Sequence, residues 1–135
     1  MPSLHLVLPV YNEEKLIRAH TLQTLSFLRT QLMPHWTCQV TIANNGSTDD
    51  TLAIAHQLAH EYPHMLSVTH HDQKGVGTAL RHAWSLKPCD IIGYMDMDLS
   101  TALHHLPQAL HLLMHQQAHV VYGSRFAPGA HVSNR

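Results

Sequence analysis

Short apolar runs of strand length alternate with longer stretches of helical spacing along most of the chain. Leu4 to Val10 (LHLVLPV) is almost continuously apolar, as expected of a central parallel strand covered on both faces, and Pro9 marks the end of its useful length. The helix predicted next carries Leu16, Ile17, Leu22, Leu25 and Leu28 on a broad apolar face and ends before Pro34. Asn12 is its expected cap, with Glu13 and Glu14 in the first turn where the helix dipole favours acids. A second strand, Cys38 to Ala43, runs into Asn44-Asn45-Gly46-Ser47-Thr48-Asp49-Asp50, which is turn chemistry leading to a helix N-terminus. Ser47 or Thr48 is the expected cap of a helix through Leu52, Ala55, Leu58 and Ala59 that stops near Tyr62-Pro63.

The pattern then repeats. Leu66 to Thr69 reads as a third strand, and His71 to Leu80 as a glycine-rich turn opening a helix that lasts to about Ser85. Asp90 to Met95 is a fourth, buried strand; a helix around Pro107 to Gln116 leads to a last strand, His119 to Tyr122. Gly123-Ser124-Arg125 and a loop, Ala127 to Ala130, follow. This alternation predicts an α/β fold with a mostly parallel sheet and helices on both faces. In such sheets ligands bind beyond the carboxyl ends of the strands. Four polar segments fall there: Tyr11 to Glu13, Asn44 to Asp50, Asp96 to Ser100 and Gly123 to Arg125.

Asp96 and Asp98 are the sharpest candidates for chemistry. Residues two apart on a strand share a face, so the two carboxylates converge if strand geometry persists past Met95. Two adjacent like charges raise one pKa unless a cation lies between them, and a hard divalent ion with oxygen ligands removes that cost. The spacing alone fits a Mg²⁺ or Mn²⁺ site that engages a diphosphate. It fits equally a polar strand end with two solvated aspartates.

Composition narrows the classes. At 135 residues with 44% hydrophobic and 13% charged content, the chain has the makings of one domain (1–135) with a real core. Net charge is −1 and the 8 Lys and Arg are scattered, which argues against a nucleic-acid surface. Cys38 and Cys89 are far apart and form no CxxC pair, the pattern of a reduced, cytoplasmic protein with buried thiols. No apolar run nears the roughly 18 residues of a membrane span, and no signal-peptide pattern opens the chain. The 15 histidines include i, i+4 sets (His56 and His60; His111, His115 and His119). Leu106, Leu110 and Leu113 cluster on the helix face away from His111 and His115, so these histidines read as a solvated polar face rather than ligands. A histidine-rich metal-storage role is accordingly disfavoured.

Gly75-Val76-Gly77 fits a phosphate-cradling loop at a helix N-terminus, or simply a tight turn into a helix. A dinucleotide fingerprint would place a third glycine where Leu80 stands, and this is not the first strand-to-helix turn of the chain. No nucleophile elbow, HExxH helix or P-loop lysine motif is present. Arg125, at a strand end after a flexible Gly-Ser, has the chemistry of a bidentate phosphate ligand and equally of an ordinary surface arginine.

Leu8-Pro9-Val10-Tyr11-Asn12-Glu13-Glu14, Asn45-Gly46-Ser47-Thr48-Asp49, the Lys74 to Leu80 turn, Asp96-Met97-Asp98 and Gly123-Ser124-Arg125 together resemble a family 2 glycosyltransferase. Order and spacing match over nearly the whole chain, most closely to the branch of dolichyl-phosphate and undecaprenyl-phosphate sugar transferases. The resemblance implies a glycosyltransferase A fold, a UDP- or GDP-sugar donor and Mg²⁺ or Mn²⁺ at Asp98 and Asp96. It implies a nucleotide-sugar-binding set of Pro9, Tyr11, Glu13, Asn44, Asn45, Ser47, Asp72, Gly75, Gly77 and Asp96, with Asp96, Asp98 and Arg125 catalytic. Pro9, Tyr11 and Glu13 would flank base and ribose, and Asn44 and Asn45 would meet the base.

The family usually has at least one aspartate where this chain has Asn44 and Asn45. A carboxylate only accepts hydrogen bonds, whereas an amide also donates, so base preference or donor affinity is expected to differ. The family's catalytic domain also continues past the equivalent of Arg135, with acceptor-binding and often membrane-associating segments. The expected activity is an inverting, metal-dependent sugar transfer to a polyprenyl phosphate, at the inner face of a membrane in a longer protein. A phosphate acceptor, with a second pKa of about 6, needs little help from a general base. The alternative is a non-catalytic or incomplete nucleotide-sugar-binding module. A nucleotidyltransferase would want a glycine-rich, basic loop where Val10-Tyr11-Asn12-Glu13 stands.

Overall fold

The computed structural model describes residues 1–72, 89–95 and 103–115. Strands β1 (Ser3–Val10), β2 (Thr37–Asn45), β3 (Leu66–His71) and β4 (Ile91–Tyr94) form one sheet in the order β3-β2-β1-β4, with all three pairings parallel. Helix α1 (Ile17–Phe27) connects β1 to β2, and α2 (Thr51–Glu61) connects β2 to β3. Helix α3 (Leu106–Met114) follows a single 3₁₀ turn, Leu103–His105. The glycine-rich turn and its helix, Asp96 to Ser100, the strand expected at His119 to Tyr122, and Gly123 to Arg125 lie outside the described residues.

The apolar alternation sets the core. Leu4, Leu6, Leu8 and Val10 of β1 lie on the same face as Cys38, Val40 and Ile42 of β2, and they pack with Ile17, Leu25 and Leu28, Ala55 and Leu58, and Leu103 and Leu110. Right-handed crossovers stepping in one direction, β1 to β2 to β3, bring α1 and α2 to one face of the sheet. The opposite face is more polar. His5 Nε2 lies 2.8 Å from Thr41 Oγ1, which lies 2.9 Å from Ser67 Oγ, a hydrogen-bonded row across three strands.

Three boundaries differ from expectation. Helix α1 starts at Ile17, because the Glu13 carbonyl accepts the Leu16 and Ile17 N–H groups; Glu13 and Glu14 therefore precede it, and Leu16 is 39% exposed rather than in the core. After Phe27 the chain widens into a π turn, Leu28–Leu32, with Met33 N–H donating to the Leu28 carbonyl, so that both leucines stay buried before Pro34 stops the helix. Strand β2 continues through Asn44 and Asn45, and both amides are buried.

Pro9 limits the backbone ladder that β1 can offer to β4. Met95 N–H donates to the Val7 carbonyl, so Val7 directs its backbone groups at β4, and by alternation Pro9 does too. Having no N–H, Pro9 cannot extend that ladder. Among the described residues β1 pairs with β2 as far as Val10 and with β4 as far as Val7. At the sheet's other end Asp90 Oδ2 accepts the Ser3 N–H at 2.8 Å, which ties the start of β1 to the residue before β4.

Two outcomes test this arrangement. Leu8→Ala, at a site with no solvent exposure, should cost about 2–5 kcal/mol in denaturant unfolding. Burial pushes the Cys38 thiol up to about 11, so at pH 8 the native chain should be alkylated by iodoacetamide at Cys89 well before Cys38, and at both in urea, as read by mass spectrometry.

Candidate functional site

Two loops leave the carboxyl edge of the sheet, one after β1 and one after β2, and side chains lock them together. Asn12 has φ of 52°, a left-handed conformation that asparagine tolerates better than most residues. Its Oδ1 accepts Thr48 N–H at 2.8 Å and Asp49 N–H at 3.3 Å, while its own N–H donates to Ser47 Oγ at 3.0 Å. Asn12 is therefore not the cap of α1: it is spent on the neighbouring loop.

A second set of bonds lies behind the first. The buried Thr51 hydroxyl accepts Glu13 N–H at 2.8 Å and donates to Asp49 Oδ1, which also takes the Thr51 N–H at 2.9 Å. Asp50 N–H donates to Glu14 Oε2 at 3.1 Å. Asp49, rather than Ser47 or Thr48, thus meets the first N–H groups of α2, and Ser47 serves the β1 loop instead. Although slight burial works the other way, the hydrogen bonds from Thr51 and Glu14 hold the Asp49 carboxyl below its ordinary value.

Of the residues expected to contact a ligand, the structure gathers Pro9, Tyr11, Glu13, Asn44, Asn45 and Ser47 at this edge, with Tyr11 39% exposed. Gly46 carries φ of 72° between Asn45 and Ser47, a value that glycine alone adopts without strain. Asp72 lies just past β3 and bonds His70: His70 Nε2 to Asp72 Oδ1 is 2.8 Å, and Asn44 Nδ2 to His70 Nδ1 is 2.8 Å. Gly75, Gly77, Asp96, Asp98 and Arg125 lie outside the described residues. Met95, the residue before Asp96, is held against Val7 at the same edge. Among the described residues no three His, Cys, Asp or Glu side chains come together as a metal cluster.

Sequence reasoning missed His70 and Thr51. No signal in the sequence pointed to the first, whose pairing with Asn44 comes from the register of adjacent parallel strands. None existed for Thr51, whose partner Glu13 is 38 residues away in sequence. A separate cavity of about 450 Å³, lined by Ser3, His5, Gln39, His64 and Cys89 among others, lies at the amino edge, away from all these groups.

This sheet order and loop arrangement are those of a glycosyltransferase A-type α/β fold, and the structure is similar to that of TarS 1-349 from S. aureus. The TM-score is 0.56 at 20% identity, over 80% of this chain and 33% of that one. The chain belongs to glycosyl transferase family 2, whose model matches residues 5–135. It is 31% identical over 126 residues to glycosyltransferase AglD of Haloferax volcanii, covering 93% of this chain and 20% of that protein. It is 29% identical over 102 residues to the dolichyl-phosphate beta-glucosyltransferase ALG5A of Trichomonas vaginalis, covering 74% of this chain and 32% of the relative. The chain therefore spans between a fifth and a third of the length of these relatives.

Asn12→Ala, which loses the amide clamp and puts a Cβ-bearing residue with no local bond at φ 52°, should lower stability by about 1–3 kcal/mol, and Asn12→Gly by less. The lowered Asp49 pKa stabilises the fold fully above the ordinary aspartate value of about 3.9, and the contribution is lost as pH falls through the folded value. Asp49→Asn should therefore flatten the acid limb of a melting-temperature profile below about pH 4.

Proposed function

We propose that this chain is the donor-binding and catalytic part of an inverting, metal-dependent glycosyltransferase that moves a sugar from a UDP- or GDP-sugar to a polyprenyl phosphate. The observation that carries this reading is the carboxyl edge between β1 and β4: β2 and β3 lie on one side of β1 and β4 on the other, so the direction of winding reverses there, and open doubly wound sheets bind ligands at such points. The residues that follow Met95 in the chain are Asp96-Met97-Asp98.

Their donor set is oxygen only, which suits Mg²⁺ or Mn²⁺ rather than a softer ion. Asp98, assisted by Asp96, would hold it, and when bound the ion supplies a Lewis acid for the charge of the departing diphosphate. Tyr11 offers a half-open ring beside the base and ribose, with Pro9, Glu13 and Ser47 shaping that wall. Gly75 and Gly77 would let the backbone approach the phosphates, and Arg125 would fork onto them. A polyprenyl-phosphate acceptor agrees with one relative being a dolichyl-phosphate enzyme, and with the lack of an obvious base for a hydroxyl acceptor. No helix among the described residues is long and apolar enough to cross a membrane. Asn44 and Asn45 in place of the family's usual aspartate favour one other reading, a module that binds the donor without transferring the sugar.

Asp98→Ala should abolish Mn²⁺-dependent binding of UDP or GDP in calorimetry while the melting temperature stays within a few degrees. Unchanged binding in that variant would overturn the metal assignment. Radiolabelled sugar transfer to a short polyprenyl phosphate separates the enzyme from the binding module.

A further inference from the structure

We infer that His70, held by Asp72, is a positioning residue that turns the Asn44 amide so that the site selects nucleobases carrying a ring N–H, uracil or guanine. This inference rests on the nucleotide-sugar reading above. Its starting point is an unmet need: Asn44 has no solvent exposure, and its Oδ1 has no hydrogen-bond partner. A buried carbonyl left unpaired is costly, and a ligand donor would recover that cost.

The direction of the chain follows from chemistry at its outer end. The Asp72 carboxylate only accepts, so His70 Nε2, 2.8 Å away, carries the proton. In that tautomer Nδ1 presents a lone pair, and the NH₂ of Asn44, 2.8 Å away, donates to it. The amide oxygen is thereby turned off His70. An asparagine so fixed behaves on its remaining side as a carboxylate would, as a pure acceptor. Uracil N3–H and guanine N1–H are donors for such an oxygen; cytosine N3 and adenine N1 bring a lone pair against it. The Asn44 departure from the family's usual aspartate is in this way compensated two strand positions from the loop, by His70 on the adjacent strand.

The test measures binding of UDP, CDP, GDP and ADP to the full chain with Mn²⁺. The native chain should prefer UDP to CDP and GDP to ADP, whichever pair it binds, by about ten- to a hundredfold. His70→Leu removes the acceptor and frees the amide to rotate, so the preference should fall towards one; His70 is 39% exposed at a strand edge, and the fold should tolerate this. His70→Gln, which restores an acceptor, should keep most of the preference. Asn44→Asp in the His70→Leu background should restore it, because a carboxylate has no donor to misplace, and a merely structural role for His70 would not show that rescue. If His70→Leu binds with undiminished selectivity, or the native chain binds CDP as tightly as UDP and ADP as tightly as GDP, the inference is overturned and the donor-binding reading survives. If the native chain binds none of the four, both fall.

Discussion

The amide oxygen of Asn12, shared between two backbone N–H groups of the neighbouring loop, is the contact on which the carboxyl edge of this sheet depends. Loops at strand ends are ordinarily the most variable part of an α/β fold. Here the loops after β1 and β2 are joined by Asn12, Ser47, Asp49 and Thr51 into one piece, with Glu13 and Glu14 tied in through their backbone and side-chain groups. Tyr11 gains a rigid mounting from this, although its ring is half open to solvent. A ligand reaching this edge would meet one preformed wall rather than two independent segments.

On the other side of β1 the governing fact is a missing donor. Pro9 lies where a ladder to the β4 strand would need an N–H, whereas β1 and β2 stay paired to Val10. The backbone bond that Pro9 cannot give is thus lost on the β4 side alone. The asymmetry comes from a single residue type at a single register position. It also explains why a proline is tolerated in a central strand at all.

The alternating elements were legible because apolar runs and helix spacing are local properties. Leu4 to Val10 and Leu66 to Thr69 lie within or close to the observed strands, and His56, His60, His111 and His115 are exposed as expected of a polar helix face. The caps were not legible. Asn12 before two glutamates and Ser47-Thr48 before two aspartates look like helix starts in isolation, yet each is used by the other loop, a long-range pairing that no window of sequence displays. The same holds for the buried Asn44: its environment is set by His70, which is 26 residues on. Family resemblance supplied the role of the edge; only the sheet register supplied its wiring.

The polar row on the second face of the sheet has a consequence for how strands find one another. His5 is almost wholly enclosed, and its Nε2 is bonded to the Thr41 hydroxyl, itself shared with Ser67. Were β2 to slide by one residue against β1, Thr41 would swing to the aliphatic side and the imidazole would face a hydrocarbon chain. Leucines and valines alone would forgive many misalignments of neighbouring strands. A hydroxyl, an imidazole and a second hydroxyl in line act instead as a toothed gauge, admitting one alignment and penalising its neighbours.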